Sequence, residues 1–209
     1  MMTQQSTDAK DRILTAAIKL FSRRGYAAVG VREIAADADV NIAMISYYFH
    51  GKVGILKAIM EQFFEMYCEV LKHVDDVELT IEERFRRIVR GIVLFVRDNR
   101  EIAMVAFNEL PLEIPEITEL KTQRVTLLWK RLSTMIEGFH LDPTNVVQLA
   151  AIGPGLIGTI FNLFRVQAVF TRVFPVTITD DFYDRLADAI TDLYLGGLRG
   201  LGQSNTERE

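Results

Sequence analysis

Three observations predict an all-α fold. Apolar residues recur at helical spacing along most of the chain, no pair of strands is visible, and a short helix, a tight turn and a second short helix fall between Val31 and Lys52. The layout expected is a small three-helix head at residues 1–52, then a long helix leading into a larger α-helical body at residues 53–209.

The elements follow in order. Ile13, Leu14, Ala17, Ile18, Leu20 and Phe21 form one apolar stripe of a first helix, and Gly25 serves as its C-cap. Gly30 can N-cap a second helix, Val31 to Ala38, with Val31, Ile34 and Ala35 facing inward. Asp39, Val40 and Asn41 make the turn, Ile42 to Phe49 the third helix, and His50-Gly51 its end. A long helix from Lys52 to Val74 carries Ile55, Leu56, Ile59, Phe63, Met66 and Val70 on one face. Thr80 with Glu83 three residues on reads as a capping box opening a helix from Ile81 to Asp98. A short helix covers Glu101 to Glu109, Pro111 and Pro115 punctuate a loop, and Glu116 to Gly138 is amphipathic. Asp142-Pro143 is expected to open the next helix, with proline in its first turn, running to Arg172 with a bend at Pro154. Thr179 or a neighbouring aspartate caps a last helix from Asp181 to about Leu201, with residues 202–209 frayed.

Composition narrows the function classes. The chain has 209 residues, 49% hydrophobic and 25% charged, with a formal charge of −4, which excludes a protein that coats nucleic acid indiscriminately. The charge is uneven. Residues 1–60 hold eight Lys or Arg against five Asp or Glu, a net +3, which leaves −7 for the rest. A basic head on an acidic body suits a protein that lays one end on a polyanion. The single cysteine, Cys68, rules out an intrachain disulfide and fits a reducing, cytoplasmic compartment. Val146 to Phe164 is a run of 19 residues without a charge, long enough to span a bilayer. Gln148, Asn162, Pro154, three glycines and the lack of a flanking basic cluster favour a buried helix and no membrane contact.

A DNA-reading helix must be short, exposed on one face and held by a small core on the other. In the third helix Ile45 and Phe49, with Ile42 or Val40, can pack on Ile34, Ala35 and Leu20. Asn41, Ala43, Met44, Ser46, Tyr47 and His50 are left for a groove or its backbone. Asn41 suits an adenine edge or a helix cap, and Ala43 and Met44 can meet a thymine methyl. Tyr47, Tyr48 and Lys52 have phosphate chemistry, although Tyr48 can equally be half core and Lys52 merely solvated. Arg32, in the first turn of the second helix, can reach the flanking backbone.

The segments ILTAAIKLFSRRGY and VREIA, then the pattern V-x-x-x-x-I-x-Y-Y-F-x-x-K ending at Lys52, resemble the N-terminal domain of the TetR family of bacterial transcriptional regulators. The likeness covers residues 10–60. It implies a helix-turn-helix DNA-binding domain at 1–52 and an effector-binding and dimerisation domain at 53–209. It also implies that Arg32, Asn41, Ile42, Ala43, Met44, Ser46, Tyr47, Tyr48, His50 and Lys52 lie at or beside double-stranded DNA. Three positions depart from the pattern. Val29-Gly30 stand where a hydroxyl often precedes VREIA, Asp39 where the turn often has glycine, and Ser46 where a first tyrosine is usual.

The body must hold an apolar interior if it takes a hydrophobic effector. Phe107, Trp129, Phe161 and Phe164 are candidates because the resemblance places a pocket among these central helices; any helical core needs such residues too. Asn108, Asn162 and Arg165 are polar groups beside them, and Arg165 could meet an acidic head group or a neighbouring carboxylate. The last two long helices are expected to form a homodimer interface, where Gly153, Gly155, Gly158, Gly196, Gly197 and Gly200 permit close approach. A two-fold dimer predicts a palindromic operator with half-sites ~34 Å apart.

The function expected is therefore that of a ligand-responsive repressor, released from DNA by a small hydrophobic effector, with no cofactor and no catalysis. The long fourth helix is the natural lever, and a coupling of about 1–3 kcal/mol would change DNA affinity ~5–150-fold. The alternative is a non-catalytic hydrophobic-ligand carrier, or partner-binding helical protein, with a degenerate head. An enzyme finds little support: His50, His73 and His140 are scattered, and no HExxH pair or phosphate-binding glycine loop occurs.

Overall fold

The computed structural model describes residues 2–108 and 110–206, with the side chains at 2–7, 73, 75, 108, 134 and 201–206 left outside the description. The described residues form α1 (Met2–Arg24), α2 (Val31–Asp37), α3 (Ile42–Phe49), α4 (Lys52–Val70), a 3₁₀ turn (Leu71–Asp75), α5 (Ile81–Asp98), α6 (Arg100–Asn108), α7 (Pro115–Gly138), α8 (Val146–Val173) and α9 (Asp180–Thr206), with no strand among them. The chain divides into two compact units, residues 1–66 with 99–125 and residues 67–98 with 126–209.

In the first unit α1 packs on α2, α3 and α6. Ile13, Ala17 and Phe21 of α1, Ile34 and Ala35 of α2, and Ile45 and Phe49 of α3 are buried, so each short helix is fixed by one apolar side. Ile55, Leu56 and Ile59 of α4 are wholly buried, as are Ala103 and Val105 of α6. Arg23 of α1 lies 3.6 Å from Glu101 of α6, an exposed pair that orients more than it stabilises.

In the second unit α9 runs along α5, and α8 packs on both. The α5–α9 seam has a polar border: Arg86 meets Asp188 and Asp192, Arg90 lies 2.7 Å from Asp184, Arg97 meets Asp180, and Arg199 meets Glu82. Between these charges α5 buries Ile88, Val89, Ile92 and Val96. Thr80 and Glu83 form the expected capping box, the Thr80 backbone N–H donating to Glu83 Oε2 at 2.8 Å and the Glu83 N–H to Thr80 Oγ1 at 3.3 Å.

Three boundaries depart from the sequence reading. The fourth helix leaves α geometry at Val70 and ends in the 3₁₀ turn instead of continuing to Val74. α8 starts at Val146, not at Pro143, because Asp142 Oδ1 accepts from the Thr144 N–H and folds residues 142–145 into a turn, while Asn145 accepts from the Gln148 N–H as the true cap. α8 then continues through Pro154. The last helix reaches Thr206, five residues beyond the expected end, its start capped by Thr179 Oγ1 accepting from the Phe182 N–H. α8 is long and apolar enough to cross a membrane, yet only 22% of its most apolar window is buried in the protomer. One side of this helix faces the core, with Leu149, Leu156, Ile160, Phe161 and Phe164, while Val146, Val147, Val169 and Val173 are exposed.

Candidate nucleic-acid interface

α3 is built for contact on one side. Ile45 and Phe49 anchor it, and Asn41, Ile42, Ala43, Ser46, Tyr47 and His50 are exposed, with Tyr47 at 77%. Met44 and Tyr48 are half-buried, and the Tyr47 and Tyr48 rings meet edge to face at 4.9 Å. Ile42, offered with Val40 as a core residue, is 42% exposed, so Ile45 and Phe49 hold the helix and Ile42 is free for contact.

Asn41 is the cap of α3: its side-chain oxygen accepts from the Ala43 N–H at 2.9 Å. Asn41→Ala is expected to cost ~1 kcal/mol of stability, read as a lower urea midpoint. A loss of DNA affinity beyond that destabilisation would mark the same amide as a base contact.

The turn between α2 and α3 explains Asp39. Its φ is 51°, the left-handed region that aspartate tolerates better than most residues. Arg12 Nη1 donates to the Asp39 carbonyl at 3.1 Å and lies 3.8 Å from its carboxylate, so the extra negative charge has a cation beside it. At the start of α2, Gly30 supplies no hydroxyl; instead its N–H donates to Glu33 Oε2 at 2.9 Å. Glu33 also receives Arg24 Nη1 at 2.6 Å, and these two donors hold its carboxyl below the usual range. Val29 is buried and Arg32 exposed.

Lys52 opens α4 and is half-buried. Its Nζ stands 4.1 Å from the centroid of the Tyr26 ring and 5.9 Å from that of Phe21. Burial lowers its pKa, and the charge of Glu33 opposes that shift. The Tyr26 hydroxyl is pushed up, first by burial and then by the charge of Glu113, from the segment between α6 and α7. Tyr26 was not among the candidate residues: a ring 26 positions before Lys52 gives no periodic signal, and only folding brings them together.

The effector candidates are spread over both units. Phe107 is half-buried in the first unit, with Lys121 Nζ 5.7 Å from its ring, and the Asn108 side chain lies outside the described residues. Phe161 is buried in the core of the second unit, and Asn162 and Arg165 are exposed on α8. Arg165 donates to Asn162 at 3.0 Å, so the neighbour it finds is a carboxamide and not the carboxylate considered from sequence. Trp129 packs on α8 beside Gly153, where an added Cβ would come within 3.1 Å of the ring. Gly155 likewise faces Tyr194 of the same protomer, whereas Gly158, Gly196, Gly197 and Gly200 face open space. A cavity of ≈ 390 Å³ opens between α8 and α9, lined by Phe164, Gln167, Phe170, Phe182, Tyr183 and Leu186 among others. Among the candidates whose side chains are described, Phe164 alone lines it, stacked on Tyr183 at 5.4 Å and 5°.

Residues 13–59 match the family model described as bacterial regulatory proteins, tetR family. The chain is 33% identical to a probable HTH-type transcriptional regulator, YttP, of Bacillus subtilis over 53% of its own length and 55% of that protein's. It thus spans about half of the curated relative it matches there. It is 22% identical, over 88% of its length and 96% of the other's, to the negative transcriptional regulator IcaR of the icaADBC biofilm operon in Staphylococcus epidermidis. Its fold is similar to that of the transcriptional regulator FadR of Bacillus subtilis, solved in complex with stearoyl-CoA, with a TM-score of 0.63, 23% identity, and coverage of 89% of this chain and 97% of that one.

Proposed function

We propose that this chain, a TetR-family transcriptional regulator, is a dimeric repressor that binds a palindromic operator and leaves it when a small hydrophobic effector binds. In this reading residues 1–52 meet the DNA and residues 53–209 hold the effector and the dimer contact, in the cytoplasm and without a cofactor. The observation that carries it is the exposed face of α3, with Tyr47 at 77% exposure opposite buried Ile45 and Phe49. A side chain that large and amphipathic, left in solvent on a well-anchored helix, is suited to a nucleic-acid backbone. Arg32, Asn41, Ile42, Ala43, Met44, Ser46, Tyr48, His50 and Lys52 surround it in sequence and complete the proposed contact set.

Repression is supported by the likeness to IcaR, a negative regulator. A hydrophobic effector is supported by the apolar cavity between α8 and α9, which gives Phe164 a role, and by the fold shared with a regulator that holds stearoyl-CoA. Phe107, Asn108, Trp129, Phe161, Asn162 and Arg165 remain the other proposed effector residues. Dimerisation through α8 and α9 is supported by their exposed apolar and glycine positions.

Selection of genomic fragments by the purified protein at near-physiological salt tests the proposal. One enriched inverted repeat, with half-sites about one helical turn apart, is the expected result. A folded protein that enriches nothing, even at low salt where phosphate contacts are strongest, would favour a hydrophobic-ligand carrier with a degenerate head.

A further inference from the structure

Lys52 is placed by an aromatic seat. Its ammonium lies over the Tyr26 ring at 4.1 Å, and Phe21, wholly buried, stands beside that ring at 5.3 Å between centroids and 5.9 Å from the ammonium. Glu33, whose charge acts on Lys52, is already bonded to Arg24 and to the Gly30 N–H, which leaves the ring face to fix the ammonium. A lysine has a flexible four-carbon stem, and an unseated ammonium samples many rotamers. Holding it on a ring removes that freedom before DNA arrives, and the cation keeps its charge because a π face attracts without neutralising. Tyr26 itself is set by its ring contact with Phe21 and by its place two residues beyond α1, which packs on α6.

We propose that Tyr26 is a positioning residue for DNA binding, its ring seating the Lys52 ammonium at the start of α4 so that the cation meets a backbone phosphate. The inference rests on the reading of Lys52 as a phosphate contact given above. It adds a residue that touches no DNA and lies outside the proposed contact set. The seat also gives the α1 end a way to act on DNA affinity, since any shift of Tyr26 relative to α4 unseats the cation.

The test is a double-mutant cycle on full-length protein, read as affinity for a mixed-sequence duplex at low salt and for the duplex recovered by selection. Lys52→Met is expected to weaken both and to lower the salt slope by about one. Tyr26→Leu is expected to weaken binding about three- to tenfold when Lys52 is present and not at all in the Lys52→Met background, while Tyr26→Phe keeps affinity. Because Tyr26→Leu also disturbs packing on Phe21, a second series replaces Tyr26 with phenylalanines of increasing fluorination, which drains the ring face at nearly constant shape. Affinity falling stepwise with fluorination supports the seat. A flat series, or an equal Tyr26→Leu loss in both backgrounds, overturns it. Unchanged affinity and salt slope in Lys52→Met would remove the phosphate contact, and this proposal with it, while the regulator reading stands; wild-type protein that binds neither duplex would instead fail the regulator reading.

Discussion

Gly54→Ala is expected to destabilise the protein and abolish tight DNA binding together. A Cβ built on Gly54 falls on the carbonyl oxygen of Phe49, the last residue of α3, and within 2.8 Å of its carbonyl carbon. Those are backbone atoms, so no rotamer change relieves the clash. The close approach arises because His50 (φ 55°) and Gly51 (φ 107°) turn the chain back sharply, bringing the first turn of α4 against the end of α3. Two effects of opposite sign compete. Helix propensity favours alanine over glycine by ~1 kcal/mol inside a helix. Overpacking of this kind costs ~1–3 kcal/mol, and more where backbone must move. The second wins, and the shift it forces displaces α3, the helix that carries Tyr47. Urea unfolding and fluorescence anisotropy on a labelled duplex check both halves. A Gly54→Ala protein more stable than the parent would mean that propensity dominates and that the α3–α4 junction is loose.

How much of this was legible in the sequence differs by element. The head was legible because its signals are local: the α1 stripe, the break at His50-Gly51 and the left-handed Asp39 each lie within a few residues of their consequence. The same holds for Thr80 and Glu83, whose capping box needs only a spacing of three. Asp142-Pro143 misled because two caps compete there. Proline suits a first turn, but the Asp142 carboxylate holds the Thr144 N–H and Asn145 captures the helix start three residues later. Gly153 and Gly155 misled in another way: glycine reports close approach without naming the neighbour, and the neighbours are Trp129 and Tyr194 of the same chain. The Lys52–Tyr26 contact and the α8–α9 cavity depend on residues far apart in sequence, and periodicity cannot register them.

Leu193→Arg is expected to yield a folded monomer that binds its operator at least a hundredfold more weakly. Leu193 sits in the middle of α9 and is 69% exposed in the protomer. Buried Ala187, Ile190, Leu195 and Leu198 already anchor α9 to its own core, so Leu193 contributes little there. Around it, Gly196, Gly197 and Gly200 would meet nothing within 4 Å if given a Cβ, which leaves a flat strip open to a second helix. An exposed surface substitution changes protomer stability by roughly ±0.5 kcal/mol. In the proposed dimer a guanidinium at this position, central in a helix–helix contact and with no partner, is far more costly. The consequence for DNA follows from geometry. With two heads on one dimer, the second half-site is bound intramolecularly, and losing that linkage removes about 10²–10⁴ in affinity. Sedimentation should show a protomer of 23.8 kDa in place of a dimer, with far-ultraviolet circular dichroism unchanged. The melting temperature of the parent should rise with protein concentration, because the dimer is favoured by mass action, and that of Leu193→Arg should not. A variant that remains dimeric and keeps its operator affinity would place the dimer contact elsewhere on the chain.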